Sequence, residues 1–191
     1  MKVLYIEPTP NPNALKFNVE GMLIARGWRS FDDKGRAADD PLAWALFETG
    51  QVRSVFVTPG FVTVTIAPEE DWWTIKPKIQ AAIEAYEPPL ADKDDGEAAD
   101  PAVSSRAAAS GPAGQHDERL ARILELLDHE VGPALAGDGG GLEVLGLEGD
   151  VLRIRYQGAC GSCPAAITGT LRAIQEMLRI EIDPNLRVVA A

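Results

Sequence analysis

The chain has 191 residues, of which 46% are hydrophobic and 25% charged, and its formal net charge is -11. That length accommodates two compact domains of ordinary globular composition. The acidity, with no run of Lys or Arg, argues against binding nucleic acid, and no apolar run approaches the roughly 20 residues of a membrane-spanning helix.

The opening, MKVLYIEPTPNPNALKF, lacks the basic, apolar and small-residue order of a secretory signal and the Arg and Ser content of a transit peptide. Two cysteines in so long a chain make no disulfide framework, so a reducing cytoplasm is the expected location. Lys2–Glu7 and Ala14–Val19 read as strands around the turn TPNPN, where Pro10 and Pro12 bias the residues before them toward extended backbone. Leu42, Ala45 and Leu46 predict a short helix. Val52–Thr58 and Phe61–Ile66 predict a hairpin across Pro59-Gly60. Ile75, Ile79, Ile83 and Tyr86 recur at helical spacing, with Pro77 expected in that helix's first turn because an interior proline would break it.

From Pro88 to His116 there is no aromatic residue, few large aliphatics and five acids against two bases. Such a stretch buries too little apolar surface to offset its ordering entropy, and it reads as a flexible acidic linker. The second half opens with Leu120, Ile123, Leu124, Leu127 and Val131, an amphipathic stripe expected to end at Gly132-Pro133. The glycine-rich AGDGGG leads into a strand at Leu142–Leu147. Glu148-Gly149-Asp150 then turns the chain into Val151–Tyr156, where Leu152, Ile154 and Tyr156 alternate with Arg153 and Arg155. A final helix buries Ile167, Leu171, Ile174 and Leu178, and Leu186–Val189 adds a last short strand. The fold class expected is α+β. Two small domains, 1–87 and 117–191, each a short sheet packed by helices, are joined by the linker 88–116.

Both cysteines, Cys160 and Cys163, lie in GACGSCP between the last hairpin and the last helix. Gly158, Gly161 and Ser162 keep the backbone compact, and Pro164 suits the first helical position. The unpaired N–H groups of the helix start favour thiolates over thiols. Metal or cluster binding, dithiol redox chemistry and an inert pair are all compatible with this spacing. A thioredoxin-like reading is weakened by the Gly-Ser spacer and by the absence of a parallel βαβ frame. Two sulfurs are too few for zinc or a cubane cluster, which take about four ligands. His116 and His129, the only histidines, sit in the linker and on the first helix of this half. The economical solution is a two-fold axis that pairs two copies of Cys160 and Cys163.

The stretch VGPALAGDGGGLEVLGLEGDVLRIRYQGACGSCPAAITGTLRAIQEML, Val131 to Leu178, resembles the NifU-like domain of the Nfu iron–sulfur cluster carriers. TPNPNALKF, PLAWALFETGQVRSVFVTPGFVTVT and WWTIKPKI resemble the N-terminal domain of the same family. The resemblance implies that Cys160 and Cys163 ligate a [4Fe-4S] cluster shared between two chains. It also implies a homodimer when loaded, an upstream cluster donor and apo-iron–sulfur client proteins. Mitochondrial members carry a presequence, whereas this chain starts at its first strand, as bacterial members do. The role expected is that of a carrier and not an enzyme, against the alternatives of a dithiol oxidoreductase or a dimeric zinc module. Asp138 is expected in a tight turn and not in a phosphate loop. Trp72-Trp73 is expected to pack one ring on the sheet and half-cover the other, with an exposed docking patch as the sharper alternative. Gly169 calls for either a close backbone contact or a dimer face.

Overall fold

Runs of β-branched and aromatic residues with period-two alternation set the first sheet. The computed structural model describes residues 1–88, 103–105, 115–162 and 164–191; within these, the side chains of 103–105, 115–117, 160, 162 and 164–168 are not described. The chain divides into two compact units, Met1–Ala98 and Ala99–Ala191, each with its own sheet and helices, in an α+β architecture.

In the first unit β1 (Lys2–Pro8), β2 (Ala14–Glu20), β3 (Arg29–Phe31), β4 (Val52–Val57) and β5 (Phe61–Ile66) form a sheet in the order β1-β2-β5-β4-β3. Every neighbouring pair is antiparallel. One face, with Phe17, Val55, Val57, Val62 and Val64, packs against Leu42 and Leu46 of α1 (Pro41–Glu48) and against Ile75, Ile79 and Ile83 of α2 (Trp72–Ala85). Each of these fully buried aliphatics contributes roughly 1.5–3 kcal/mol relative to exposure. Asp40 caps α1 by accepting the Ala43 N–H at 2.9 Å. The TPNPN turn is closed by Asn11, whose side-chain oxygen accepts the Asn13 N–H at 3.0 Å.

Pro77 departs from expectation. It is the sixth residue of α2, because Asp71 accepts the Trp73 N–H and starts the helix a turn earlier than its apolar stripe suggests. The cost is one missing helical bond near the helix start. Strand β3 was not expected; three residues are too few for a periodic signal.

The second unit holds a four-stranded sheet, β6 (Val103–Ser105), β7 (Gly140–Glu148), β8 (Val151–Gly158) and β9 (Arg187–Ala190), in that order. β7 and β8 are the antiparallel hairpin, while β6 and β9 flank it in parallel. Strand β8, the following helix and β9 therefore form a parallel βαβ unit around the cysteine loop, contrary to the expectation that none is present. The short β9 carries too little pattern to show its direction. Leu142, Val144, Leu152, Ile154 and Tyr156 face Ile123, Leu127, Ile174 and Leu178 of the helical layer. That layer comprises α3 (Gln115–Leu126), α4 (Gly132–Gly137) and α5 (Pro164–Glu181).

The first helix of this half does not stop at Gly132-Pro133. A π-helical turn, Leu127–Val131, links α3 to α4, and the Gly132 N–H reaches back five residues to the Leu127 carbonyl. A proline ring at 133 would collide with the carbonyl four residues before it in a regular helix, and the wider turn removes that collision. Most of the span read as linker lies outside the described residues. Within it, Val103–Ser105 pairs with β7 and Gln115 opens α3, so two pieces of that span belong to the second unit's secondary structure.

Candidate functional site

Three glycines and one hydrogen bond build the cysteine loop. The β7–β8 hairpin runs back from Glu148↔Val151 to Gly140↔Gly158, with a bulge between Val144 and Gly146 that shifts the register by one residue. Gly158 ends β8 at φ +65°, and Gly139 precedes β7 at φ +78°, both left-handed values that suit glycine. Between them the Ala159 N–H donates to the Gly139 carbonyl at 3.2 Å. Gly139 itself donates to the Ala136 carbonyl at 3.1 Å and Asp138 to that of Ala134 at 3.0 Å, which finishes α4. The end of one helix, the start of one strand and the loop after the other are thereby joined at a single turn.

Beyond that bond the chain makes a 3-10 turn, Ala159–Ser162, and α5 follows from Pro164, the first helical residue as expected. Ala159 is buried, at 2% exposure. Gly161 is exposed, and a Cβ on it would lie 3.0 Å from the Tyr156 carbonyl oxygen, a tight contact that its lack of a side chain avoids where the loop closes back on the strand. The Cys160 backbone lies in this turn; its side chain, and all of Cys163, fall outside the described residues. Beside the loop, the Glu143 carboxylate accepts from Gln157 Nε2 at 2.8 Å and stands 3.6 Å from Arg155 Nη1.

The other residues singled out from sequence take definite places. His129 is on the π-turn with its side chain 85% exposed and Nδ1 2.9 Å from Glu130 Oε1, a surface position. The side chain of His116 is outside the described residues. Trp72 packs against the first core and its Nε1 donates to the Pro12 carbonyl at 3.3 Å. Trp73 is 83% exposed with the Lys76 ammonium 5.7 Å from its ring centroid, so it does not half-cover the sheet. A Cβ on Gly169 would meet nothing within 4 Å, which removes the close-contact explanation within its own chain.

Gly139 was missed as a supporting residue. AGDGGG reads only as a turn until the hairpin is counted back from Gly149, and the bulge then displaces a simple count by one residue. Chemically, a turn with little side-chain bulk at the start of an 18-residue helix lets a backbone approach a large ligand and offers it unpaired N–H groups.

Residues 4–88 match the family described as "Scaffold protein Nfu/NifU N terminal", and residues 123–189 match the one described as "NifU-like domain". Over 179 residues the chain is 36% identical to the human "NFU1 iron-sulfur cluster scaffold homolog, mitochondrial", covering 92% of this chain and 66% of that protein. Over 178 residues it is 32% identical to "NifU-like protein 4, mitochondrial" of Arabidopsis thaliana, covering 90% of this chain and 60% of that protein. The chain therefore spans less than two thirds of the length of these curated relatives. The solved structure of protein SAV1430 from Staphylococcus aureus is similar over 44% of this chain and 99% of its own, at 23% identity and a TM-score of 0.39.

Proposed function

We propose, from the premise that this chain belongs to the Nfu/NifU family, to which both of its matched domains assign it, that it carries iron–sulfur clusters to apo-proteins. The cargo proposed is a [4Fe-4S] cluster held between two chains, with Cys160 and Cys163 of each as thiolate ligands. The observation that carries this reading is local. The chain's only two cysteines stand three positions apart in sequence, Cys160 within the 3-10 turn Ala159–Ser162 that follows β8, inside the span that matches the NifU-like domain.

Two ligands per chain make the holder divisible. Incoming thiolates of a recipient replace Cys160 and Cys163 one sulfur at a time, and the pair of chains separates as the cluster leaves. Each exchange forms one iron–sulfur bond and breaks another, with no net redox change. The protein is thus a carrier and not an enzyme. The proposed division is 1–87 for recognising clients or an upstream donor, the part of 88–116 that precedes β6 for reach, and 117–191 together with β6 and the start of α3 for the cluster. The proposed compartment is a reducing one, the cytoplasm.

Anaerobic reconstitution with iron and sulfide tests the reading. The expected product is brown, dimeric on sizing, and able to activate an apo-iron–sulfur enzyme. A colourless protein with one zinc per pair of chains, or a metal-free monomer that reduces disulfides, would overturn it.

A further inference from the structure

The outer face of the second sheet carries a concentration of arginine that the proposed cluster chemistry does not use. Alternation along β8 sends Leu152, Ile154 and Tyr156 into the core and leaves Arg153 and Arg155 exposed. The parallel register of β9 sets Arg187 beside Val151 and Val189 beside Arg153, while Val188 is buried beside Leu152. Arg153, Arg155, Arg187 and Val189 therefore share the face opposite to α3 and α5. Val189 is 39% exposed there. Arg153 and Arg155 are about 7 Å apart along the strand, and Arg155 is about 10 Å from Gly158, where the cysteine loop begins.

The charge on this face is only partly answered among the described residues. Arg155 faces Glu143 at 3.6 Å, and Glu148, opposite Val151, stands at the far end of β7. Arg153 and Arg187 make no ion pair among the described residues. In a chain of net charge -11, the three guanidiniums of this face outnumber its carboxylates, Glu143 and Glu148, among the described residues, and so give it a local positive excess. An exposed valine among them supplies apolar contact. Free arginines presented on a rigid strand suit bidentate recognition of carboxylates.

We infer that this face docks an acidic segment of the protein that receives the cluster, and so aligns the recipient's thiolates with the loop at the end of β8. The inference rests on the carrier reading and adds to it the surface and the chemistry of the recipient. Charge complementarity of this kind acts mainly on the rate of encounter, so it is read in transfer kinetics and in salt dependence.

Two measurements on the full chain test it. In the first, cluster-loaded wild type and Arg153→Glu/Arg187→Glu transfer to an apo-ferredoxin, an acidic [4Fe-4S] acceptor. The double variant is expected to load the same iron and to transfer about tenfold more slowly at low salt, with the difference vanishing at high salt. Arg153→Gln/Arg187→Gln should fall between the two. In the second, a ten-glutamate peptide is titrated into the apo chain, with amide shifts expected at 151–157 and 187–190 and lost in the double variant. Equal transfer rates, shifts elsewhere, or tighter binding of a single-stranded oligonucleotide to this face would overturn the inference. So would peptide binding that appears only after residues 89–102, which precede β6, are deleted, since the face is then filled within the chain. If wild type takes up no cluster, the carrier reading fails by itself, and the peptide titration still decides the docking face.

Discussion

Replacing Gly139 by alanine separates the strain of a turn from its function as a brace. At φ +78° a Cβ costs about 1–2 kcal/mol, because the left-handed region crowds Cβ against the following carbonyl. For a unit of this size each kcal/mol lowers the melting temperature by about 4–8 °C, so the expected fall is about 4–16 °C. The matched control is Gly149→Ala, at φ +59° in the turn at the opposite end of the same hairpin, where a Cβ meets nothing within 4 Å. Both variants bear similar strain, but only Gly139 holds the residue before Cys160 through its carbonyl. Urea and thermal unfolding are followed by far-UV circular dichroism. The four tryptophans, Trp28, Trp44, Trp72 and Trp73, all lie in the first unit and serve as an internal reference that should not move. The expected result is a comparable loss of stability in both variants and a loss of iron uptake in Gly139→Ala alone. Equal iron uptake in the two would refute the bracing argument, and unchanged stability in both would refute the strain argument.

Further predictions concern both units. Asp40→Ala removes the α1 cap and the partner of Arg29 at 2.8 Å, and should cost about 1–2 kcal/mol in urea unfolding read by tryptophan fluorescence. Burial, and after it the Asp40 carboxylate, raise the Tyr86 hydroxyl above its ordinary value of about 10, against a smaller opposing pull from Arg29. The folded chain then keeps a proton that the unfolded chain loses first. That stability is complete below about pH 10 and is lost as the pH rises further, so Tyr86→Phe should flatten the alkaline limb of the unfolding midpoint. Gly169→Ala places a methyl in open space on α5 and should stabilise the apo chain by about 1 kcal/mol. A destabilised apo chain would show that the glycine is needed within its own protomer.

Strong periodicity was legible in the sequence. Ile75, Ile79 and Ile83 mark one face of α2, and Leu152, Ile154 and Tyr156 mark one face of β8; all six are buried, because burial is what produces the pattern. Features set by single backbone bonds were not legible. Asp71 moved the start of α2 ahead of its apolar stripe, and the π-turn at Leu127–Val131 absorbed a proline that reads as a helix end. The short β3 has no pattern of its own and is recruited by β4. At the site, the spacing of Cys160 and Cys163 was visible at once. The bond from Ala159 to Gly139 was not, since it joins residues twenty apart through a bulged hairpin. The outward setting of Arg153 and Arg155 was visible in the alternation of β8, but that Arg187 joins them was not, because it follows from the parallel register of β9.

Under the proposed function one chain supplies two of the cluster's four thiolates. Iron and sulfide are counted on the anaerobically reconstituted protein in the same run that measures its mass by light scattering, for wild type and for Cys163→Ala. About two iron atoms per chain are expected in a species of twice the chain mass, and a colourless monomer for the variant. A full complement of four on a monomer, or an unchanged cluster in Cys163→Ala, would contradict it.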